Sequence, residues 1–312
     1  TFRGFESHLL RWTARERSMS ASRHPSLGDP MPTREPVVVL GEFDGFHLGH
    51  RHLLEAAARV ARLAERPLVA VVFDVGRDRV LHDQAERSRA LLRYGVSQIR
   101  VLAVPLDSVD ATDVADSIVA GLDPGLVVMA CAPDGIADEY PDVRAEFRTR
   151  GVDVVEVDRV VDHAGPVTAE RVRTAVETGD IAAVIELTGE PYPITGIVQR
   201  GQQLGRTIGF PTANLEPPAD RVIPAKGVYA AHVRHDGVDY LAAVNVGVRP
   251  TVDASDRLVI EAHLLGVDID LYDQRIAVSL THRVRDEHRF ESLDALTEQL
   301  ARDVNTVRHL NP

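Results

Sequence analysis

The stretch GQQLGRTIGFPTANL, residues 201–215, combines residue types that suit polyphosphate binding. Glycines allow a loop to run close to a phosphate chain without side-chain clashes, and they recur here at Gly201, Gly205 and Gly209. Pro211 stiffens the segment, and Thr212 and Asn214 offer neutral oxygen atoms that suit a Mg²⁺ ion bridging the phosphates of ATP. A simple Gly-Pro turn would explain the glycines and the proline but not the uncharged Thr-Ala-Asn. The stretch therefore predicts ATP and phosphate contacts at Gly205, Gly209, Thr212 and Asn214, the last two also being metal ligands.

A second motif, GEFDGFHLGH at residues 41–50, lies between a predicted strand and a predicted helix. A helix N-terminus presents free N–H groups and a partial positive charge, so phosphate binds there readily. Gly45 and Gly49 would let the backbone approach a nucleotide, and His47 and His50 could donate hydrogen bonds to its phosphates. The motif is similar to the H-x-G-H signature of nucleotidyltransferases; the alternative is a glycine-rich turn that arose by chance.

Composition excludes several other classes of protein. The formal net charge of −12 argues against a protein that wraps nucleic acid, because such binding depends on cationic neutralisation of phosphates. No apolar run approaches the roughly 20 residues of a membrane-spanning helix. Lys226 is the only lysine, so no Walker A G-K-[ST] sequence exists. One cysteine, Cys131, cannot form an internal disulfide, which favours a cytoplasmic protein.

The first motif-bearing region alternates short apolar runs with amphipathic segments, the pattern of a parallel α/β sheet. Residues 1–35 lack this pattern and are predicted to be a disordered tail. The sequence predicts strands near 37–40, 68–73, 99–104, 126–129 and 152–157, and helices near 50–65, 87–94, 114–121 and 143–150. Two short helices, near 168–177 and 181–188, precede the turn residues Gly189-Glu-Pro-Tyr-Pro193. A Rossmann-like nucleotidyltransferase domain is therefore predicted over residues 36–189.

The remaining residues, 190–312, change to a β pattern with closely spaced turns. Predicted strands lie near 195–199, 228–234, 239–246, 258–265 and 275–284, which favours an antiparallel barrel. Ser292 is a suitable N-cap for a final helix over residues 293–309, whose leucines would pack on the barrel.

These residues together resemble the prokaryotic bifunctional riboflavin kinase/FMN adenylyltransferase family, also called FAD synthetase. The kinase motifs appear in the family's order across residues 190–310. They are G-F-P-T-A-N at Gly209–Asn214, G-V-Y at Gly227–Tyr229, N-V-G-V-R-P-T at Asn245–Thr251, Glu261 and His263 of E-x-H, D-L-Y at Asp270–Tyr272, and R-D-E at Arg285–Glu287.

The resemblance implies roles for individual residues. Glu261 matches the general base that takes the proton of the riboflavin 5′-hydroxyl, although a lone Glu on a strand otherwise favours a solvated face. Thr212 and Asn214 match the Mg²⁺ and phosphate ligands. Arg285 lies in the segment that closes over flavin and nucleotide, and a surface ion pair with Asp286 or Glu287 is the alternative. The implied substrates are riboflavin, ATP with Mg²⁺, and FMN.

The first domain departs from the family pattern at three places. Phe73–Arg77 replaces F-x-P-H-P, Met129–Glu139 lacks the family's aromatic residues, and Val167–Arg173 replaces I-S-S-T-x-x-R and adds the negative charge of Glu170. We therefore predict a riboflavin kinase in which FMN adenylylation is weak or lost and the site at Gly45, His47, Gly49 and His50 is vestigial. Full bifunctionality, a non-catalytic flavin-binding protein, and a nucleotidyltransferase of changed specificity are the alternatives.

Overall fold

The computed structural model describes residues 35–103, 110–131, 143–201, 204–250, 256–267 and 269–310. These residues form two compact units. The first unit comprises the described residues up to Arg77 together with His82–Val167. The second comprises Asp78–Leu81 together with the described residues from Thr168 onward. Nearly all of the predicted tail lies outside the described residues.

The first unit is built on a five-stranded parallel sheet of order β3-β2-β1-β4-β5, which confirms the predicted α/β class. Its apolar central strands are buried on both faces, as expected for a parallel sheet covered by helices. The strands are β1 (Val37–Gly41), β2 (Leu68–Asp74), β3 (Val96–Ala103), β4 (Leu126–Ala130) and β5 (Asp153–Val157). The helices are α1 (Leu48–Ala64), α2 (Gln84–Arg93), α3 (Ala111–Leu122) and α4 (Val143–Thr149). A small hairpin, β6 (Val161–Asp162) and β7 (Gly165–Pro166), completes the unit.

Two helices, α5 (Ala169–Thr178) and α6 (Ile181–Thr188), belong to the second unit. Arg283 of the barrel donates a 2.8 Å hydrogen bond to the Thr178 carbonyl at the end of α5. The hydroxyl oxygen of Tyr192 lies 2.8 Å from the carbonyl oxygen of Val222 and 3.2 Å from that of Leu81, which ties residues 78–81 to the same unit. The compact units thus divide between residues 167 and 168, upstream of the domain boundary at residue 190, which stays a prediction.

The second unit is a closed antiparallel barrel of order β10-β11-β12-β9-β8-β13, followed by a C-terminal helix, as predicted. Its strands are β8 (Tyr192–Gln199), β9 (Ala213–Glu216), β10 (Gly227–His235), β11 (Val238–Pro250), β12 (Asp256–Leu264) and β13 (Arg275–Arg285). The remaining helices are α7 (Leu204–Thr207) and α8 (Leu293–Leu310). Strand β9 was not predicted, yet it closes the barrel by pairing with both β8 and β12.

Candidate active site

A cavity of about 370 Å³ lies between the barrel and α8, and it collects most of the predicted kinase residues. Gly205, Thr212, Asn214, Glu261 and Arg285 all line it, although they come from widely separated parts of the chain. Gly209 does not line the cavity; it occupies a left-handed conformation with φ +84° in the turn that leads into the Phe-Pro-Thr segment. Gly209 therefore shapes the loop rather than the cavity wall.

Strand register explains how these residues meet. Asn214 of β9 lies directly across from Glu261 of β12, and Glu261 lies directly across from Asn245 of β11. The same row continues through Val228 of β10 to Arg285 of β13. Side chains that are directly opposite in antiparallel strands share one face and lie close together. The half-buried Glu261 side chain therefore lies between Asn214 and Asn245 on the outer face of the barrel, opposite the buried residues Val244, Ile260 and Ala262 of the interior.

Two glycines allow the loop before β9 to fold against this row. A Cβ atom at Gly205 would lie 2.2 Å from the carbonyl oxygen of Phe210, and one at Gly201 would lie 2.3 Å from the Asn214 side chain. Both distances are shorter than any real contact of this kind. The glycine pattern of the sequence thus reflects close packing of the loop around Phe210 and Asn214, in addition to any role in approaching phosphates.

His263 fixes the Phe-Pro-Thr segment from the neighbouring strand. Its Nδ1 atom lies 2.8 Å from the Pro211 carbonyl oxygen, which accepts the hydrogen bond, and its ring meets the edge of Phe210 at 5.3 Å between centroids. Because His263 and Glu261 are two residues apart on β12, both side chains point to the same face. The strand that carries the carboxylate therefore also anchors the segment that carries Thr212.

Arg285 is bound by a carboxylate that the sequence reasoning missed. Its guanidinium donates to both oxygens of Asp303 on α8, with N–O distances of 2.7, 2.9 and 3.1 Å. Gln299 donates a further 2.8 Å hydrogen bond to Asp303, whose side chain is only 3% exposed. The Asp286 carboxylate, one partner in the alternative interpretation of Arg285, pairs with Arg283 at 2.9 Å.

The side of the cavity formed by α8 is apolar except for Asp303. Leu296, Leu300 and Val304 line it from the helix, and Phe290 lies beneath the Arg285 guanidinium at 5.8 Å. The opposite side carries the oxygen and nitrogen atoms of the row that includes Glu261. An apolar cavity with a few polar groups at one end suits a flat aromatic molecule that has a polar tail. A charged residue on the apolar stripe of α8 is the sequence signal that could have identified Asp303.

A second cavity, of about 170 Å³, shares Thr212 with the first. Its wall includes Arg206 and the Asp270-Leu-Tyr272 segment, and the guanidinium of Arg200 lies 4.6 Å from the centroid of the Tyr272 ring. Thr212 thus stands in the wall between two adjacent spaces. This arrangement fits a reaction between two substrates that meet at one hydroxyl-bearing residue.

The oxygen donors on the large cavity fit a magnesium ion. Thr212, Asn214 and Glu261 supply hydroxyl, amide and carboxylate oxygens, which are the ligand types that Mg²⁺ takes when it also binds substrate phosphates. Within the described part of the chain, no three His, Cys, Asp or Glu side chains are grouped to hold a metal ion.

The H-x-G-H segment of the first unit begins α1, two residues before the predicted start. His47 is the N-cap, and its Nδ1 atom accepts hydrogen bonds from the backbone N–H groups of Gly49 at 3.1 Å and His50 at 3.3 Å. Those amides were expected to be open to phosphate, but the imidazole caps them. The capping also fixes the tautomer of neutral His47, because an accepting Nδ1 leaves the proton on Nε2.

Both histidines are neutral at physiological pH. Burial lowers the pKa of His47 to about 4. Burial also lowers the pKa of His50 well below its ordinary value, with smaller contributions from His47 and His82. The two rings stack with their centroids 3.8 Å apart. Gly49 makes this packing possible, because a Cβ atom there would lie 2.9 Å from the His47 ring.

Of the three segments that depart from the family pattern, two lie fully within the described residues. Arg77 forms an ion pair with Glu42, with N–O distances of 2.5 and 3.2 Å, at the carboxyl edge of the first unit's sheet. In the second unit, Thr168 caps α5, and the Glu170 side chain is 73% exposed and pairs with Arg173 at 3.7 Å. The charge of Glu170 is therefore partly offset. Most of the segment Met129–Glu139 lies outside the described residues.

Comparisons with known proteins agree with both units. A riboflavin kinase family model matches residues 188–311, and an FAD synthetase model matches residues 29–108. A bifunctional riboflavin kinase/FMN adenylyltransferase from Escherichia coli (strain K12) is 35% identical over 89% of this chain and 93% of its own length. One from Bacillus subtilis (strain 168) is 30% identical, over 86% and 90% respectively. A crystal structure from Streptococcus pneumoniae, described as a macrolide-efflux protein, has a TM-score of 0.79 at 30% identity and covers 90% of this chain and 96% of that one.

No helix in the described parts of the chain is both long and apolar enough to cross a membrane.

Proposed function

Because the chain belongs to the bifunctional riboflavin kinase/FMN adenylyltransferase family, we propose that its two units catalyse successive steps of flavin synthesis. The barrel phosphorylates riboflavin to FMN, and the first unit transfers an adenylyl group from ATP to FMN. The observation that carries the kinase assignment is the register that places Asn214, Glu261 and Asn245 in one row inside the cavity.

In the kinase step, Glu261 accepts the proton of the riboflavin 5′-hydroxyl. The freed oxygen forms a bond to the γ-phosphorus of ATP as the bond to the β–γ bridging oxygen breaks, giving FMN and ADP. An alcohol is a weak nucleophile at neutral pH, so the reaction needs a positioned base and neutralisation of the phosphate charge. Asn214 and Asn245 flank Glu261 on the neighbouring strands.

The two adjacent cavities that share Thr212 suit the two substrates. The cavity of about 370 Å³, with an apolar wall from α8, takes the flavin ring and directs the ribityl chain toward Glu261. The smaller cavity takes the nucleotide, so Thr212, which lines both, lies where the γ-phosphate meets the hydroxyl. A bound Mg²⁺ ion would neutralise part of the phosphate charge. Thr212 and Asn214 are the side chains that would hold it, while Gly205 keeps the loop close.

In the first unit, His47 supplies the hydrogen-bond donor for the adenylyl step. A neutral imidazole whose Nδ1 is occupied by the start of α1 keeps its proton on Nε2, where it can stabilise charge on a transferring phosphate. Weak or lost adenylylation stays a prediction from the sequence. Full bifunctionality is the better-supported proposal, because relatives along nearly the whole chain carry both activities in their names.

The test is incubation of the purified chain with riboflavin, ATP and Mg²⁺, followed by separation of riboflavin, FMN and FAD. The proposal expects FMN first and FAD later, and it expects His47→Ala to stop FAD formation while FMN still accumulates. Failure to form FMN would refute the kinase assignment. Normal FAD formation by His47→Ala would refute the role of His47, and accumulation of FMN without FAD in the unmodified chain would favour the weak-adenylylation prediction.

A further inference from the structure

We propose that Glu287 makes the kinase cavity select uncharged riboflavin over its phosphorylated product, and this inference rests on the proposed kinase function. Glu287 follows β13 in the segment between the barrel and α8, and it lines the large cavity. Its role is one of substrate discrimination, separate from the proton transfer assigned to Glu261.

The position of the Glu287 carboxylate is set by a glycine. A Cβ atom at Gly247 would lie 2.4 Å from Oε1 of Glu287 and 3.2 Å from Nδ2 of Asn245. Gly247 and Asn245 are two residues apart on β11, so they share the face of the strand that lines the cavity. The carboxylate therefore occupies the space in the cavity that a side chain at residue 247 would fill.

No cation among the described residues pairs with Glu287. Within the described residues it forms no ion pair or hydrogen bond, whereas Arg285, the cation that shares its cavity, is bound by Asp303. Asp286, the preceding residue, differs in this respect because it pairs with Arg283. A flavin in the cavity therefore meets a negative charge at Glu287 that no side chain of the described residues pairs with.

This charge affects the substrate and the product differently. Riboflavin has no charge, but FMN carries a phosphate on the oxygen that lies beside Glu261 during the reaction. Asn245 is directly across from Glu261, and Gly247, against which the Glu287 carboxylate lies, is two residues further along β11. Strand spacing therefore puts the Glu287 carboxylate about 8 Å from that phosphate. Repulsion of a dianion at this distance weakens its binding by about threefold to tenfold at low ionic strength. Glu287 thereby favours the release of FMN.

The experiment measures the inhibition of ADP formation by added FMN, together with the KM for riboflavin, in the full chain. ADP reports the kinase step alone, because adenylyl transfer releases pyrophosphate. Glu287→Gln removes the charge with little change in shape. We expect it to lower the ratio of the FMN inhibition constant to the riboflavin KM by about threefold to tenfold, with a smaller effect at 0.5 M KCl.

Two further variants complete the design. Gly247→Ala pushes the flexible end of Glu287 out of the cavity and should lower the ratio in the same direction. Asp286→Asn, whose side chain is 87% exposed, should leave the ratio within twofold of the unmodified value.

The inference would be overturned, with the kinase assignment intact, if Glu287→Gln left the ratio unchanged or changed the FMN inhibition constant and the riboflavin KM equally. It would also be overturned if salt did not reduce the effect. Absence of riboflavin-dependent ADP formation by the unmodified chain would instead overturn both.

Discussion

Removal of the Asp303 carboxylate should destabilise the second unit measurably. Asp303 is 3% exposed at its side chain and accepts three contacts from Arg285 and one from Gln299. Breaking a buried ion pair by removing one partner costs about 3–5 kcal/mol. The Arg285 side chain is 22% exposed, so water recovers part of this loss, and we expect Asp303→Ala to lower the free energy of unfolding by about 3 kcal/mol.

Calorimetry of the full chain is the appropriate assay, because the two units can unfold at different temperatures. A loss of about 3 kcal/mol corresponds to a decrease of roughly 6–12 °C in the melting temperature of a unit of this size. Glu298→Ala on the same helix is the matched control. Its pair with Arg302 spans 3.7 Å between side chains that are 73% and 61% exposed, and such a pair contributes about 0.5 kcal/mol or less. Equal melting temperatures for the two variants would refute the reasoning.

Two further predictions concern the nucleotide and the histidines. Thr212→Ala should reduce the stabilisation of the barrel by ATP and Mg²⁺ in thermal melts. Thr297→Ala, a control on α8, should leave that stabilisation unchanged. Equal stabilisation of the two variants would remove Thr212 from the site. His47, whose pKa is lowered to about 4 from 6.5, stays neutral in the folded unit while the unfolded chain takes up a proton. Stability should therefore fall as the pH drops below about 6.5, by about 2 kcal/mol at pH 5 from His47 alone. Denaturant titrations of His47→Asn, which keeps a helix-capping side chain, should show a smaller acid-dependent loss.

Hydrophobic patterning was sufficient to predict both folds, because every central strand of the sheet and most barrel strands are apolar runs bounded by turn residues. It missed β9, whose sequence Ala213-Asn-Leu-Glu216 is short and only half apolar. That strand forms because its neighbours β8 and β12 offer unpaired edges, which is a tertiary effect. The start of α1 was placed at His50 because the capping role of His47 depends on the orientation of its side chain.

The candidate site was predicted in part. Thr212, Asn214, Glu261 and Arg285 were identified by motif, and the structure brings them to one cavity. Asp303 was missed, because a single acidic residue on an amphipathic helix usually faces solvent. The register of three strands decides which polar residues are neighbours, and register cannot be derived from the pattern of one strand alone.

The most direct test of the kinase mechanism is the turnover of Glu261→Gln. The amide keeps the shape of the carboxylate and its place between Asn214 and Asn245, but it cannot accept the hydroxyl proton. We expect ADP formation with riboflavin to fall by about 10² to 10⁴, with ATP binding and the conversion of added FMN to FAD retained. Turnover of riboflavin within a few-fold of the unmodified chain would contradict the assignment of Glu261 as the base.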